Sequence, residues 1–298
     1  MKTLKAILHR SRVGAVTLCT GGALLLISTP LLHGDPLSLE GEVLAADGQA
    51  LTLHLRYKGQ IPGLSESSAG ELTVDVSQGD ALIGYVGRSI RGQLLSSTAR
   101  WRLENIWPVN PDVRHTIDTI NRQLRRDTAT RGTKAFRTVG DYIPDFALYD
   151  QDGHMASVRQ FRGKRIVLNF IFTRCAVPTM CPAATTNMVR LQKQARNAGV
   201  ANLQLISISF DPEYDTPGIL KQYAHTHGVD TGTFSLLTGP KRVITDLMTQ
   251  FGILTEQEDG TIKHTMATLL IDEKGKIHYR REGSRWTPQS FLERLVAI

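Results

Sequence analysis

Cys175 and Cys181 are the residues of this 298-residue chain best suited to chemistry, because a cysteine can attack a disulfide, close one, or ligate a metal. Five residues separate them, Ala176, Val177, Pro178, Thr179 and Met180, a loop short enough to return the first sulfur to the second. Cys181 precedes Pro182, and proline favours the first turn of a helix. The second sulfur is therefore expected at a helix N-terminus, where the positive end of the dipole favours thiolate over thiol. The two sulfurs can then bind one metal ion or close a disulfide, given Cα atoms within about 7 Å. Two thiolates alone leave a metal site incomplete, and His264, in the segment Lys263-His264-Thr265-Met266, is the candidate third donor. Soft thiolates select copper(I), while an added imidazole also suits copper(II) or zinc. Each signal alone has a plainer meaning: a cysteine pair in an exported chain is most often a structural staple, and a histidine before a strand is ordinarily a surface residue.

These side chains must be positioned by the elements around them. Residues 165–172, RIVLNFIF, form an apolar run suited to a buried central strand. After the cysteine loop comes a helix with Pro182 in its first turn, an apolar stripe through Ala184, Met188, Leu191, Ala195 and Ala198, and Gly199 as its stop. Residues 203–210, LQLISISF, read as the next strand, Thr216-Pro217 opens a helix ending near Gly228, and residues 240–251 make another. Residues 267–272 and 276–280 form a hairpin turning at Lys274-Gly275, and Thr287-Pro288 opens the last helix. This order is that of an α/β thioredoxin-like domain, with both cysteines at the carboxyl end of the first central strand, where open α/β sheets place their sites. His264 precedes the hairpin, which this topology brings beside the cysteine loop. Asp211 and Asp215, flanking Pro212, read either as supports for the ligands or as helix-start caps around Thr216, and Glu213 as solvated.

The first half of the chain is different in kind. Period-two alternation at Leu51, Leu53, Leu55 and Tyr57, and at Leu72, Val74 and Val76, marks half-buried strands. Further strands are expected over residues 39–44, 90–95 and 101–107, which makes a small all-β barrel, similar to an oligonucleotide/oligosaccharide-binding fold. His54 falls on a polar strand face, and Trp101 and Trp107 read as barrel packing. Asn110-Pro111 caps an amphipathic helix with Val113, Ile117, Ile120 and Leu124 on one side. The divisions are thus 1–34, a signal or membrane anchor; 35–109, the barrel; 110–138, a helical basic linker; and 139–298, the thioredoxin-like domain.

The anchor rests on Lys2, Lys5, Arg10 and Arg12 followed by an uncharged, mostly apolar run over residues 13–32 that contains Cys19 as filler. No small-residue cleavage site stands out, so an uncleaved anchor with its positive flank in the cytoplasm is expected, and a cleaved, secreted form is the alternative. Net charge is +7, much of it local to this start and to Arg122, Arg125, Arg126, Arg131, Lys134 and Arg137. No aromatic residues interleave with these charges, so nucleic acid is not an expected partner. At 41% hydrophobic and 21% charged the composition is that of a globular protein.

The ordered segments Gly140-Asp141-Tyr142-Ile143-Pro144-Asp145-Phe146, Phe170-Ile171-Phe172-Thr173-Arg174-Cys175, Met180-Cys181-Pro182, residues 209–217 (SFDPEYDTP) and His264-Thr265 with Leu269-Leu270-Ile271-Asp272 together resemble the Sco/SenC family over about 160 residues. The resemblance implies a membrane-anchored thioredoxin-like domain facing the periplasm or intermembrane space. It also implies a copper ion bound by two cysteines and one histidine, here Cys175, Cys181 and His264. The implied role is assembly of the copper centre of cytochrome c oxidase, as metallochaperone or thiol reductant. The family pattern has three residues between the cysteines and lacks the N-terminal barrel.

The function expected is therefore a metallochaperone of this type with a redox-linked dithiol. Its partners would be a respiratory oxidase copper subunit or another cuproprotein, a thiol–disulfide reductant, and the membrane through the N-terminal segment. Two other classes fit the cysteines. An exported thiol–disulfide oxidoreductase without a copper role needs Cys175 and Cys181 as its catalytic pair and has no use for His264. A non-catalytic binding module with a structural disulfide would have neither free thiols nor metal affinity.

Overall fold

The structure, a computed structural model, describes residues 37–57, 61, 70–96, 100–132, 135–258 and 261–298. The expected anchor over 1–34, with Cys19, lies outside the described residues. Among them no helix is long and apolar enough to cross a membrane.

The alternating residues of the first half close into a barrel. β1 (Leu37–Asp47), β2 (Thr52–Tyr57) and β3 (Glu71–Asp75) are followed by a short helix, α1 (Gln78–Ile83), then β4 (Ser89–Ser96) and β5 (Trp101–Pro108). The strand order is β1-β2-β3-β5-β4, closed by β4 on β1, and β3 runs parallel to β5. Closure leaves no unpaired edge. Leu39, Val43, Leu53, Leu55, Val74, Ile90, Leu94, Leu103 and Ile106 fill the interior, at about 1.5–3 kcal/mol each. Period-two alternation gives no sign of α1, which Ser77 begins by accepting the Asp80 N–H. The two tryptophans part company. Trp101 packs against the barrel core, but Trp107 does not belong to that core. It lies against Ile117, Ala147 and Tyr149, its ring centroid 6.0 Å from that of Tyr149.

α2 (Pro111–Arg131) starts as expected, with the Asn110 side chain accepting the Asp112 and Val113 N–H groups at 3.0 and 3.1 Å. The connecting helix is packed along its length. Ile117 and Leu124 are buried, and the Asn121 amide donates to the Ala147 carbonyl (2.8 Å) while its oxygen accepts the Ala147 N–H (3.1 Å). Basic residues of α2 and of the segment after it have structural partners: Arg125 reaches buried Asp246 at 2.6 Å, and Arg137, beyond the helix, pairs with Asp127 at 2.5 Å.

The remainder is a seven-stranded sheet with helices on both faces. In chain order come β6 (Ala147–Asp150), β7 (Met155–Ser157), β8 (Arg165–Ile171), α3 (Cys181–Asn197), β9 (Leu203–Ser209), α4 (Pro217–His227), β10 (Phe234–Thr238) and α5 (Lys241–Phe251). β11 (Thr255–Glu258), β12 (Thr261–His264), β13 (Ala267–Ile271), β14 (Ile277–Glu282) and α6 (Pro288–Ala297) complete the chain. The sheet order is β14-β13-β8-β9-β10-β6-β7, with β8, β9 and β10 parallel. Val167, Leu205 and Leu270 point to α3 and α6, packing with Met188, Leu191, Phe291 and Leu295, while Leu168, Phe170, Ile206 and Leu269 pack with Leu220 of α4 and Leu247 and Phe251 of α5. The expected βαβ unit, hairpin and final helix are all present. The short strands β6, β7 and β10 and the separate β11–β12 hairpin were not read from the sequence, because runs of three to five residues carry too little periodicity.

Candidate metal centre

β8 ends at Ile171, and the chain turns through Thr173 and Arg174 into the cysteine loop, so Cys175 lies just past the carboxyl end of a central strand. Cys181 is the first residue of α3, completely buried; Cys175 is 8% exposed, and both thiols are free. His264 is the last residue of β12, half-buried, on a hairpin that is not part of the main sheet. The structure brings the three predicted residues together. Both sulfurs and a ring nitrogen of His264 lie within 4.8 Å of one another, and Cys181 Sγ is 3.6 Å from His264 Nε2. A three-coordinate ion with bonds of about 2.0–2.3 Å holds its donors just under about 4 Å apart. The Cys181–His264 pair is already at that spacing, and the remaining separations, none above 4.8 Å, need close by no more than about an ångström to surround a single ion.

The imidazole is oriented by its neighbours. Its Nδ1 lies 3.1 Å from the Thr265 carbonyl, an acceptor only, so Nδ1 carries the hydrogen and the Nε2 lone pair faces the sulfurs. The ring sits edge-on to Phe172 (centroids 5.6 Å apart) and against Phe210 (4.6 Å), and these two rings are 5.0 Å from each other. Burial lowers the His264 pKa, which favours the neutral, ligating form. Sequence reasoning missed Phe172 and Phe210. Each is the last aromatic residue of an apolar strand run, which looks like core.

Asp215 holds the start of the loop. Fully buried, it accepts the Thr173 N–H at 3.1 Å, the Thr173 hydroxyl at 2.5 Å and the Ser209 hydroxyl at 2.5 Å. Burial raises its pKa to about 6 against the pull of these hydrogen bonds. Asp211 takes Arg174 at 2.6 Å, and Arg174 also lies over the Tyr214 ring. Capping of α4 falls to Thr216 and not to either aspartate, whose side chains hold Thr173 and Arg174, the two residues before Cys175. Glu213 is exposed and pairs with Lys241 at 2.8 Å.

One expectation is reversed. Cys181 does begin a helix, but burial pushes its thiol pKa well up, with the neighbouring Cys175 and Asp215 adding to the rise. Desolvation outweighs the helix dipole here, because a sulfur with no exposed surface loses the water that would stabilise its charge. An incoming cation must therefore displace the proton.

Comparison with known proteins places the chain in a family. The profile of the SCO1/SenC family matches residues 135–297. A SCO1 protein homolog of Bacillus subtilis is 28% identical over 150 residues, covering 49% of this chain and 76% of that one. A Stutzerimonas stutzeri protein named for copper binding is 31% identical over 140 residues, covering 45% of this chain and 66% of that one. Among solved structures, a SCO1/SenC family lipoprotein from Bacillus anthracis superposes with a TM-score of 0.50 at 29% identity, covering 55% of this chain and 98% of that one.

Proposed function

The chain belongs to the SCO1/SenC family, and from that premise we propose that Cys175, Cys181 and His264 bind one copper ion as cargo for the copper centre of a respiratory oxidase. The observation that carries this reading is the convergence of two thiols and one oriented imidazole nitrogen within 4.8 Å. Two sulfurs and an imidazole are the donor set that soft, first-row copper prefers, and copper binding is named for the S. stutzeri relative.

The residues divide the work. Cys181 anchors the ion from the buried side, and its proton leaves on binding, so uptake is favoured as pH rises. His264 is half-buried and Cys175, at 8% exposed, is slightly less enclosed than Cys181, so an acceptor's ligands would replace these two first. When a partner disulfide oxidises the two thiols, a Cys175–Cys181 disulfide forms as the partner's S–S bond breaks, and two electrons and two protons pass to the partner, which leaves as two thiols. Both sulfur donors are removed, which links copper loading to redox state. A thiol–disulfide reductant restores the pair. In this reading the protein works on the extracytoplasmic side of a membrane, with its N-terminal segment as the tether.

Copper titration of the purified protein, reduced and oxidised, with metal analysis tests this. One copper per reduced chain and none per oxidised chain is expected. His264→Ala should weaken binding at least tenfold while leaving the circular dichroism spectrum unchanged. Unaltered stoichiometry and spectra in that variant would remove His264 from the site.

The closeness of the sulfurs also suits a thiol–disulfide oxidoreductase that makes no use of copper. Disulfide reductase activity that survives His264→Ala, in a protein that retains no copper, would favour that reading.

A further inference from the structure

Helix α4 and the segment that leads into it carry two side chains that hold the cysteine loop at its two ends. Asp215, the residue before the Thr216 cap, takes the backbone and hydroxyl of Thr173, two residues before Cys175. In its second turn the Tyr223 hydroxyl shares a 2.8 Å hydrogen bond with Thr185, four residues after Cys181 on α3. The barrel grips this same helix. Gly79 of α1 meets Gly218 of α4 backbone to backbone: a Cβ on Gly79 would overlap the Gly218 carbonyl oxygen and lie 3.0 Å from the Gln222 nitrogen, and a Cβ on Gly218 would overlap the Asp80 carboxylate. Neither glycine has a positive φ, so close approach and not backbone conformation requires glycine at both.

Further bonds fix the joint. Asp80 is 4% exposed and accepts the hydroxyls of Ser77 (2.6 Å) and Tyr85 (3.3 Å). Asp152, in the turn between β6 and β7, receives Lys221 of α4 at 2.5 Å on its carboxylate and Arg88 of the barrel at 2.8 Å on its carbonyl.

We propose that the barrel braces the metal centre: α1, through Gly79 and Asp80, sets the position of α4, and α4 with the segment that leads into it, through Tyr223 and Asp215, sets the spacing of the two cysteine arms. Gly79, Asp80 and Gly218 are then positioning residues for Cys175 and Cys181, although Gly79 and Asp80 lie outside the segment matched by the family. With five residues between the cysteines, the arms at the loop's ends have more to do in placing the sulfurs. The copper part of this inference rests on the reading above, but the spacing of the sulfurs does not.

The test uses the full chain and two readouts: copper(I) affinity by competition with a chromophoric chelator, and the thiol–disulfide equilibrium constant of the metal-free protein against glutathione. Gly79→Ala wedges the joint, Asp80→Ala loosens it without adding atoms, and Tyr223→Phe cuts the link to α3. Gly92→Ala is the control, since its Cβ would press on Glu104 and Leu103 within the barrel and not on α4. The three joint variants are expected to lose about tenfold in copper affinity. They should also shift the thiol–disulfide constant several-fold, while Gly92→Ala keeps both values despite a lower melting temperature. Wild-type values in Asp80→Ala and Tyr223→Phe, or an equal change in Gly92→Ala, would overturn the proposal even if Gly79→Ala does not fold. Should the wild-type chain bind no copper, the copper reading falls and the thiol–disulfide constant alone decides the brace.

Discussion

Two buried groups show how environment overrides residue type. A cysteine at a helix start suggests a reactive thiolate, yet Cys181 has its pKa raised because the sulfur is fully desolvated. Asp80 follows the same rule. Burial raises its pKa from 3.8 to about 6, against the lowering effect of Ser77 and Tyr85. The sign of the consequence is fixed by linkage. Below about pH 4 the carboxyl is protonated folded or unfolded and has no effect; between pH 4 and 6 the unfolded chain ionises first; above pH 6 the folded state carries the whole penalty, up to about 3 kcal/mol. Asp80→Asn should therefore melt with the wild type near pH 4 and above it at pH 7, the gap opening through pH 5–6. Asp215, present in both proteins, cancels from the comparison. A gap independent of pH would show that Asp80 is not the titrating group.

At the level of elements, the unexpected feature is how firmly α2 is built in. Its sequence shows a capped amphipathic helix with a basic end, which reads equally well as a linker. Only contact with β6 distinguishes the two. Asn121 supplies both a donor and an acceptor to the backbone of Ala147, and Gln250 of α5 donates to the Thr128 hydroxyl at 3.0 Å. Asn121→Ala would leave the buried Ala147 N–H and C=O unpaired, at about 1–3 kcal/mol each. We expect a loss of about 2–4 kcal/mol in urea unfolding, with an unchanged slope. A loss under about 0.5 kcal/mol would mean that water replaces the amide. The β11–β12 hairpin, which carries His264, is closed at its base by the Thr265 N–H donating to the Leu254 carbonyl at 2.9 Å, and His264 meets the rest of the domain through Cys181 and the Phe172 and Phe210 rings.

For the whole molecule, the barrel, α2 and the α/β sheet share one compact unit from residue 36 onward. The Gly79–Gly218 contact, the Asp152 bonds and the Trp107–Tyr149 pair all cross between the parts. Thermal unfolding of the metal-free protein should accordingly be a single transition, coincident by helical circular dichroism and by the fluorescence of a Trp286→Phe variant, in which Trp101 and Trp107 are the remaining tryptophans. Two separated transitions would show that the barrel folds and unfolds by itself. Copper at a hundred times its dissociation constant should add about 2.7 kcal/mol to that one transition, moving both signals together.

Much of this was present in the sequence. Period-two alternation gave the barrel strands, proline and glycine punctuation gave α2, α3, α4 and α6, and the segments around Cys175, Cys181 and His264 identified the family. These are local signals, carried by residues near one another along the chain, where backbone geometry alone sets the pattern. What only the tertiary structure decided is non-local: the hairpin that turns His264 toward the sulfurs, the Phe172–Phe210 pair that holds its ring, the burial that keeps Cys181 protonated, and the barrel's seat on α4. A glycine needed for close approach looks the same in sequence as one needed for a turn. The pKa of a thiol depends on how much water is removed from it, and that is set by residues far away along the chain.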